Sequence, residues 1–302
     1  MTDYNNFYDY ALSFGCNVLK DEPMKKHITF KLGGNARVFV EPESEEQLIK
    51  ILKKCDEISL HYVLIGNGSN LLVPDEGIDG VVIRLGERFG KIELISETEL
   101  FVQAGANLMR VCKFALNNSL SGLEFAYGIP GSAGGAAFMN AGAYGGEMKD
   151  VLYKCACIDK ELNQTSLEGG DLDLSYRHSA FCDNGYIITG LYLKLKKGSV
   201  EEIKAKMEEL ISRRRDKQPL DYPSAGSTFK RPEGYFAAKL IDDCGLRGRS
   251  VGGAQVSEKH AGFVINKGGA TCADVLGLCA EVKNAVKEKF GVDLEREIKI
   301  IN

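Results

Sequence analysis

The chain has 302 residues, 44% of them hydrophobic and 26% charged, which is enough for two domains and too ordinary a composition for disorder. A net charge of -4 leaves no electrostatic footprint for nucleic acid, and no apolar run reaches the roughly 18–20 residues of a membrane span. Met1-Thr2-Asp3-Tyr4 lacks the marks of a signal peptide, and nine cysteines without a C-x-x-C pair suit free thiols in a reducing cytoplasm better than disulfides or zinc.

Phe7, Tyr10, Ala11 and Phe14 have helical spacing. Ser44-Glu45-Glu46-Gln47 reads as a capping box, with Leu48, Ile51, Leu52 and Cys55 forming one apolar stripe behind it. Tyr62–Ile65 predicts a buried strand running into Gly66, and Val81–Ile83 another. Asn107 caps a helix through Asn118 whose core face is Leu108, Val111, Cys112 and Ala115. Tyr153, Cys155 and Cys157 alternate as in a strand, as do Leu191, Leu193 and Leu195 within 187–195. A second capping box, Ser199-Val200-Glu201-Glu202, opens a helix carrying Ile203, Met207, Leu210 and Ile211, and marks a domain boundary. Beyond it come a short helix (236–244), a long one (271–290) and a final strand (294–301).

Thirty-four glycines are the informative excess, and they cluster. Gly66-Asn67-Gly68-Ser69-Asn70 follows a strand, yet Leu71 replaces the third glycine of a dinucleotide fingerprint, and Leu71–Pro74 does not open a helix. Such a turn can still aim several N–H groups at a phosphate, or be an ordinary turn. The stretch Gly128–Gly146 carries too little side chain to serve as core throughout. Close approach to an extended diphosphate ligand explains it better. Taken alone, Arg177 reads as a surface residue, Arg213-Arg214-Arg215 as a basic helix end, and Glu295 and Glu297 as two glutamates on one solvated face of a strand. None of His27, His61, His178 and His260 has zinc-ligand spacing, so no metal is expected.

Taken in order, Thr29–Gly34, Gly66–Asn70, Gly128–Gly146, Ser175-Tyr176-Arg177-His178-Ser179, Lys217-Gln218-Pro219, Gly226–Phe229, His260–Asn266 and Glu295-Arg296-Glu297 resemble the UDP-N-acetylenolpyruvoylglucosamine reductase (MurB) family over nearly the whole chain. The resemblance implies an α+β fold: a two-lobed FAD-binding domain of the vanillyl-alcohol-oxidase (PCMH) type and a smaller C-terminal α+β substrate domain. The expected division is an N-terminal helical segment (1–27), an FAD domain (28–198, lobes 28–86 and 87–198) and a substrate domain (199–302).

By the same resemblance, Gly66, Asn67, Gly68, Ser69, Asn70, Ile129, Ser132, Gly135, Gly142, Tyr144 and Arg214 lie along a non-covalent FAD. Arg177, Ser227 and Glu297 would be catalytic, and Lys217, Arg231 and His260 would hold a nucleotide-sugar substrate. The family implies two half-reactions: NADPH reduces the flavin, then the enolpyruvyl sugar is reduced, with the proton coming from Ser227 and a fixed charge from Arg177. Glu297 can assist only if protonated, which burial would favour. Residues 178–226 leave no room for the tyrosine-bearing loop of some members, so the chain resembles the shorter type. A cytoplasmic monomer without nucleic-acid or membrane partners is expected. Another flavin oxidase on the same fold, or a non-enzymatic nucleotide-binding module, are the rival readings.

Overall fold

The computed structural model describes residues 2–301; Met1 and Asn302, the outer ends of the expected division, lie outside the described residues. In chain order the principal elements are α1 (Thr2–Ser13), β1 (Asn17–Pro23), β2 (Asn35–Glu41), α2 (Glu45–Glu57), β3 (Tyr62–Ile65), β4 (Leu71–Leu72), β5 (Ile78–Arg84), β6 (Ile92–Leu94), β7 (Glu99–Gln103) and α3 (Leu108–Asn117). There follow β8 (Leu120–Ser121), α4 (Ala133–Phe138), β9 (Gly142–Ala143), β10 (Gly146–Glu147), β11 (Leu152–Ile158), β12 (Gln164–Glu168), β13 (Ile187–Lys194) and β14 (Lys196–Lys197). The last are α5 (Val200–Lys217), α6 (Ala237–Asp243), β15 (Ser250–Val251), β16 (Ala254–Val256), β17 (Val264–Asn266), α7 (Cys272–Phe290) and β18 (Lys299–Ile300). Helices and strands are mixed as an α+β fold requires. Strands β1, β2, β5 and β3 form a four-stranded sheet in that order.

Two compact units emerge. One comprises residues 2–19, Phe39–Asn67 and Ile83–Arg214; the other comprises Lys20–Val38, Gly68–Val82 and 215–301. These units interleave along the chain, whereas the division expected from sequence is contiguous. Segment 1–27 also holds β1, a strand, and not only a helix. The cause is long-range pairing that no local pattern announces.

In the first unit an antiparallel sheet has the order β12-β11-β13-β7-β6. Helix α2 forms as its sequence dictates: Ser44 Oγ accepts the Gln47 N–H, and Leu48, Ile51, Leu52 and Cys55 are buried. The return bond of the box is displaced by one residue, since Gln47 Oε1 accepts the Glu43 N–H at 2.8 Å. Asn107 Oδ1 caps α3 through Met109 N and Arg110 N, burying the expected four residues. Helix α4, inside the glycine-rich stretch, was not legible as a helix. Ser132 caps it, and its buried small residues pack on β13 and β7; a side chain on Gly134 would strike Ala104, just past β7, at 2.7 Å. Part of that stretch is therefore core after all, because small residues let the helix approach the sheet.

In the second unit β15, β16 and β17 form an antiparallel sheet against which α7 packs. Thr271 and Asp274 complete a capping box at the start of α7, and Asp75 accepts the Cys272 and Ala273 N–H groups at 2.7 and 3.0 Å. Thr29 Oγ1 donates to Ser224 O at 2.7 Å, and Asn266 Nδ2 to Phe30 O at 3.1 Å, so two early and late motifs serve as mutual anchors. The final strand is much shorter than 294–301. Only Lys299 and Ile300 pair, in parallel with Leu71 and Leu72, while Arg296 makes an isolated bridge to Phe229.

Candidate active site

Within the first unit the glycine segments meet. Gly66 lies so close to Ser132 that a Cβ there would stand 2.2 Å from the Ser132 hydroxyl oxygen, and Ser132 in turn holds the Gly135 N–H at 3.3 Å. Glycine at 66 is thus fixed by contact and not by dihedral, since its φ is outside the left-handed region. Gly142 and Glu147 pair across the β9–β10 hairpin, whose two central residues, Tyr144 and Gly145, have φ of 55° and 88°. Positive φ at both is the pattern of a type I′ turn, and it puts the Tyr144 ring at the tip. The Arg213 guanidinium lies 5.2 Å from the centre of that ring. Ile129 follows at the root of the segment, its N–H bonded to Ala126 O at 3.0 Å.

Arg214 is not the solvated helix end that the sequence alone suggests. It is 8% exposed, donates from Nη1 to Gly128 O at 2.9 Å, and bonds the Tyr144 hydroxyl. Burial pulls its basicity below the ordinary arginine range, and Tyr144 opposes that shift. Its Nε is buried with no hydrogen-bond partner. A buried guanidinium donor left open beside a glycine-rich backbone fits a ligand that brings acceptors of its own.

Arg177 stands in a tight turn closed by reciprocal bonds between Ser175 and His178, both 3.2 Å, and adopts φ of 55°. That left-handed conformation is unusual for a non-glycine residue and has to be held by its surroundings. Asn140, 1% exposed, supplies the hold by donating from Nδ2 to Ser175 O at 3.0 Å. Ser179, fully buried, donates to Phe138 O at 2.7 Å on the other side of the turn. The sequence reading passed over Asn140; an Asn-Ala-Gly run, with its tolerance of positive φ, was the available signal.

In the second unit Ser227 and Glu297 lie on adjoining segments: Glu297 N donates to Thr228 O at 2.9 Å, and Phe229 bridges Arg296. Thr228, 1% exposed, locks the arrangement through Val264 N to its Oγ1 at 2.8 Å and its own N–H to Gly262 O at 2.8 Å. Glu297 is 8% exposed while Glu295 is exposed and paired with Lys230 at 2.5 Å. The same-face expectation for the two glutamates is overturned, because this segment is not a regular strand. Asn70 Nδ2 donates to Glu297 O at 3.1 Å, tying the Gly68-Ser69-Asn70 turn to this segment. Gly68 O accepts the Thr29 N–H at 3.1 Å.

His260 Nδ1 accepts the Gly262 N–H at 3.1 Å, which puts the ring proton on Nε2, and its ring meets Phe263 edge-on at 5.0 Å. Burial holds its pKa below the ordinary histidine value, and Arg247 adds to that shift. The Arg231 guanidinium stacks 3.9 Å from the centre of the exposed Phe236 ring, and Lys217 is exposed at the end of α5. Among the described residues no cluster of His, Cys, Asp and Glu could hold a metal, and no helix is long and apolar enough to cross a membrane. Burial pushes the Cys55 and Cys112 thiols up to about 12, so neither is a thiolate at neutral pH.

Residues 36–161 match an FAD binding domain family, and residues 218–301 match the family described as UDP-N-acetylenolpyruvoylglucosamine reductase, C-terminal domain. The UDP-N-acetylenolpyruvoylglucosamine reductase of Clostridium perfringens (strain SM101 / Type A) is 51% identical, over 100% of this chain and 99% of its own length. That of Clostridium botulinum (strain 657 / Type Ba4) is 53% identical over 94% and 92%. Among solved structures, the UDP-N-acetylenolpyruvylglucosamine reductase of Thermus caldophilus superposes with a TM-score of 0.81 at 36% identity, over 95% of this chain and 99% of that one.

Proposed function

This chain belongs to the UDP-N-acetylenolpyruvoylglucosamine reductase family, and from that premise we propose how its residues divide the work. It is an FAD- and NADPH-dependent oxidoreductase of peptidoglycan precursor synthesis, reducing the enolpyruvyl group of the UDP sugar to give UDP-N-acetylmuramate. Its FAD-binding domain is of the vanillyl-alcohol-oxidase (PCMH) type, followed by a smaller α+β domain. We assign cofactor binding to about 28–198 and substrate binding to 199–302; the two family matches fall inside those bounds.

The residues present fit FAD: the close meeting of the two glycine segments at Gly66, Ser132 and Gly135, the turn at Gly142 and Tyr144, and the open Nε of buried Arg214. On the resemblance of their motifs we assign Ile129, Asn67, Gly68, Ser69 and Asn70 to the cofactor as well. Bound FAD supplies the two-electron relay from NADPH to the terminal vinyl carbon of the substrate.

The chain's own task is to manage the resulting charge. Hydride arrival leaves a carbanion beside the substrate carboxylate, shared between the two as a dianion. Arg177 offers a fixed positive charge to it. Glu297, buried, serves this role in its protonated form, donating a hydrogen bond from its carboxyl group. Ser227 gives its hydroxyl proton to carbon and recovers one from solvent. Lys217 and Arg231 take the diphosphate, one as a point charge and the other as a fork, and the His260 Nε2–H reaches the carboxylate. Residues 178–226 are taken up by β13, β14, α5 and short turns, which supports the shorter type without a tyrosine loop. Nine free cysteines suit a reducing compartment, and we infer a cytoplasmic protein on that ground.

The observation that carries this reading is the backbone pairing of Thr228 with Glu297, which runs the Ser227 and Glu297 segments side by side. Ser227→Ala tests it. Bleaching of the flavin by NADPH stays near normal, while recovery of absorbance on adding saturating enolpyruvyl substrate slows by about 10²–10⁴-fold. Ser227→Cys recovers part of the second rate. Equal loss in both half-reactions, or in neither, removes Ser227 from the role.

A further inference from the structure

The cofactor hairpin and the Arg177 turn share one buried residue. Asn140 follows α4, its N–H closing that helix on Ala137 O at 3.0 Å, and it holds φ of 41°. Its side chain then makes three hydrogen bonds, two as donor and one as acceptor. Nδ2 donates to Glu147 Oε2 at 2.7 Å, on the strand that pairs with Gly142, and also to Ser175 O at 3.0 Å, in the turn that presents Arg177. Oδ1 accepts the Lys149 N–H at 2.9 Å. Neither of these segments reaches the other through regular secondary structure. At 1% exposure, no water competes for those bonds.

We propose that Asn140 is a positioning residue: it fixes the Arg177 turn to the Gly142–Tyr144 hairpin, so that the catalytic charge keeps its place relative to the cofactor. The proposal rests on the assignment of Arg177 above. The Ser175–His178 bonds close the Arg177 turn internally, at φ of 55°, but bonds within a turn do not fix where it sits against its neighbours. Side-chain charge is effective in catalysis only when pre-placed, and an error of about 1 Å can cost on the order of 100-fold. Ser179, bonded to Phe138 O, holds the far side of the turn to the end of α4. The Asn140 amide is the group that bonds the turn and the hairpin strand at once.

The test is a double-mutant cycle on FAD-saturated enzyme. Asn140→Gly removes the three side-chain bonds while tolerating the positive φ, and Arg177→Asn removes the charge from a position where asparagine is also tolerated. Expected for Asn140→Gly is a slowing of substrate-driven flavin reoxidation by about 10–100-fold, with reduction by NADPH close to wild type. In the Arg177→Asn background the same change adds less than about a factor of two, since the residue it positions is already gone. Multiplicative losses in the double variant, or an equal slowing of flavin reduction, overturn the proposal and leave the Arg177 assignment standing. Normal reoxidation in Arg177→Asn alone removes that assignment and the proposal with it. Should Asn140→Gly not fold, Asn140→Asp combined with Glu147→Gln, which keeps shape, the Lys149 bond and a donor–acceptor pair between 140 and 147 but loses the donor to Ser175, is read by the same criteria.

Discussion

Gly66→Ala is a steric experiment with a calculable outcome. The backbone dihedral permits alanine, so the cost arises from the 2.2 Å approach to Ser132 Oγ. Ser132 is 2% exposed and caps α4, so its hydroxyl cannot swing aside without releasing the Gly135 N–H. Overpacking costs roughly 1–3 kcal/mol and the lost cap about 1 kcal/mol. The single variant should thus lose about 2–4 kcal/mol of stability, and no less than the cap if the hydroxyl rotates freely. Ser132→Ala alone should cost about 1 kcal/mol. Combining the two removes the colliding oxygen and leaves a Cβ–Cβ approach of 3.3 Å, so the double variant should be more stable than Gly66→Ala by about 1–2 kcal/mol. Urea unfolding of the apoprotein, followed by circular dichroism, measures this without a contribution from bound FAD. A double variant that carries the sum of the single losses, or a Gly66→Ala protein within about 0.5 kcal/mol of wild type, would refute the contact as the reason for glycine.

Glu297→Gln should keep more activity than Glu297→Ala, because an amide can donate the hydrogen bond of a protonated carboxyl and a methyl cannot; steady-state kcat with saturating substrates decides it, and equal losses would show that no donor is needed there. His260 is held below its ordinary pKa by burial, so the folded state resists the charge that the unfolded chain accepts. Stability is then full above about pH 6.5 and declines as pH falls below it toward the depressed folded value. Urea midpoints between pH 7 and 5 should fall less in His260→Gln than in wild type, and parallel profiles would contradict the shift.

Local chemistry was the most legible part of the sequence. Ser44 and Asn107 cap the helices they were expected to cap, and the stripe of Leu48, Ile51, Leu52 and Cys55 is buried as its spacing requires. Such signals are complete within one turn of helix. Arg214 and Glu297 were misread on local grounds because their burial comes from residues far away in the chain, Gly128 in one case and Thr228 in the other. The two glutamates were assigned to one face on a period-two rule, and the segment pairs too briefly for that rule to apply. Helix α4 escaped because glycine and alanine carry no hydrophobic periodicity to read. Of the site, the residue types were legible through the ordered motifs; the hydrogen bonds that hold them, at Asn140 and Thr228 above all, were not.

The parallel pairing of Lys299–Ile300 with Leu71–Leu72, and the bond from Asn70 to Glu297 O across 227 residues, put a timetable into synthesis. At roughly 5–20 residues per second, a ribosome needs about 10–50 s to make the partner that residues 70–72 await. During that interval the second unit is incomplete whatever the stability of its parts, and Leu72, wholly buried in the finished fold, has no strand beside it. Closing so long a loop is also slow in its own right, since the entropy of closure precedes the contacts that offset it. Nascent chains of this protein therefore present an open strand to chaperones for most of their time on the ribosome, and its yield in a cell should respond more to holdase supply than its equilibrium stability would suggest.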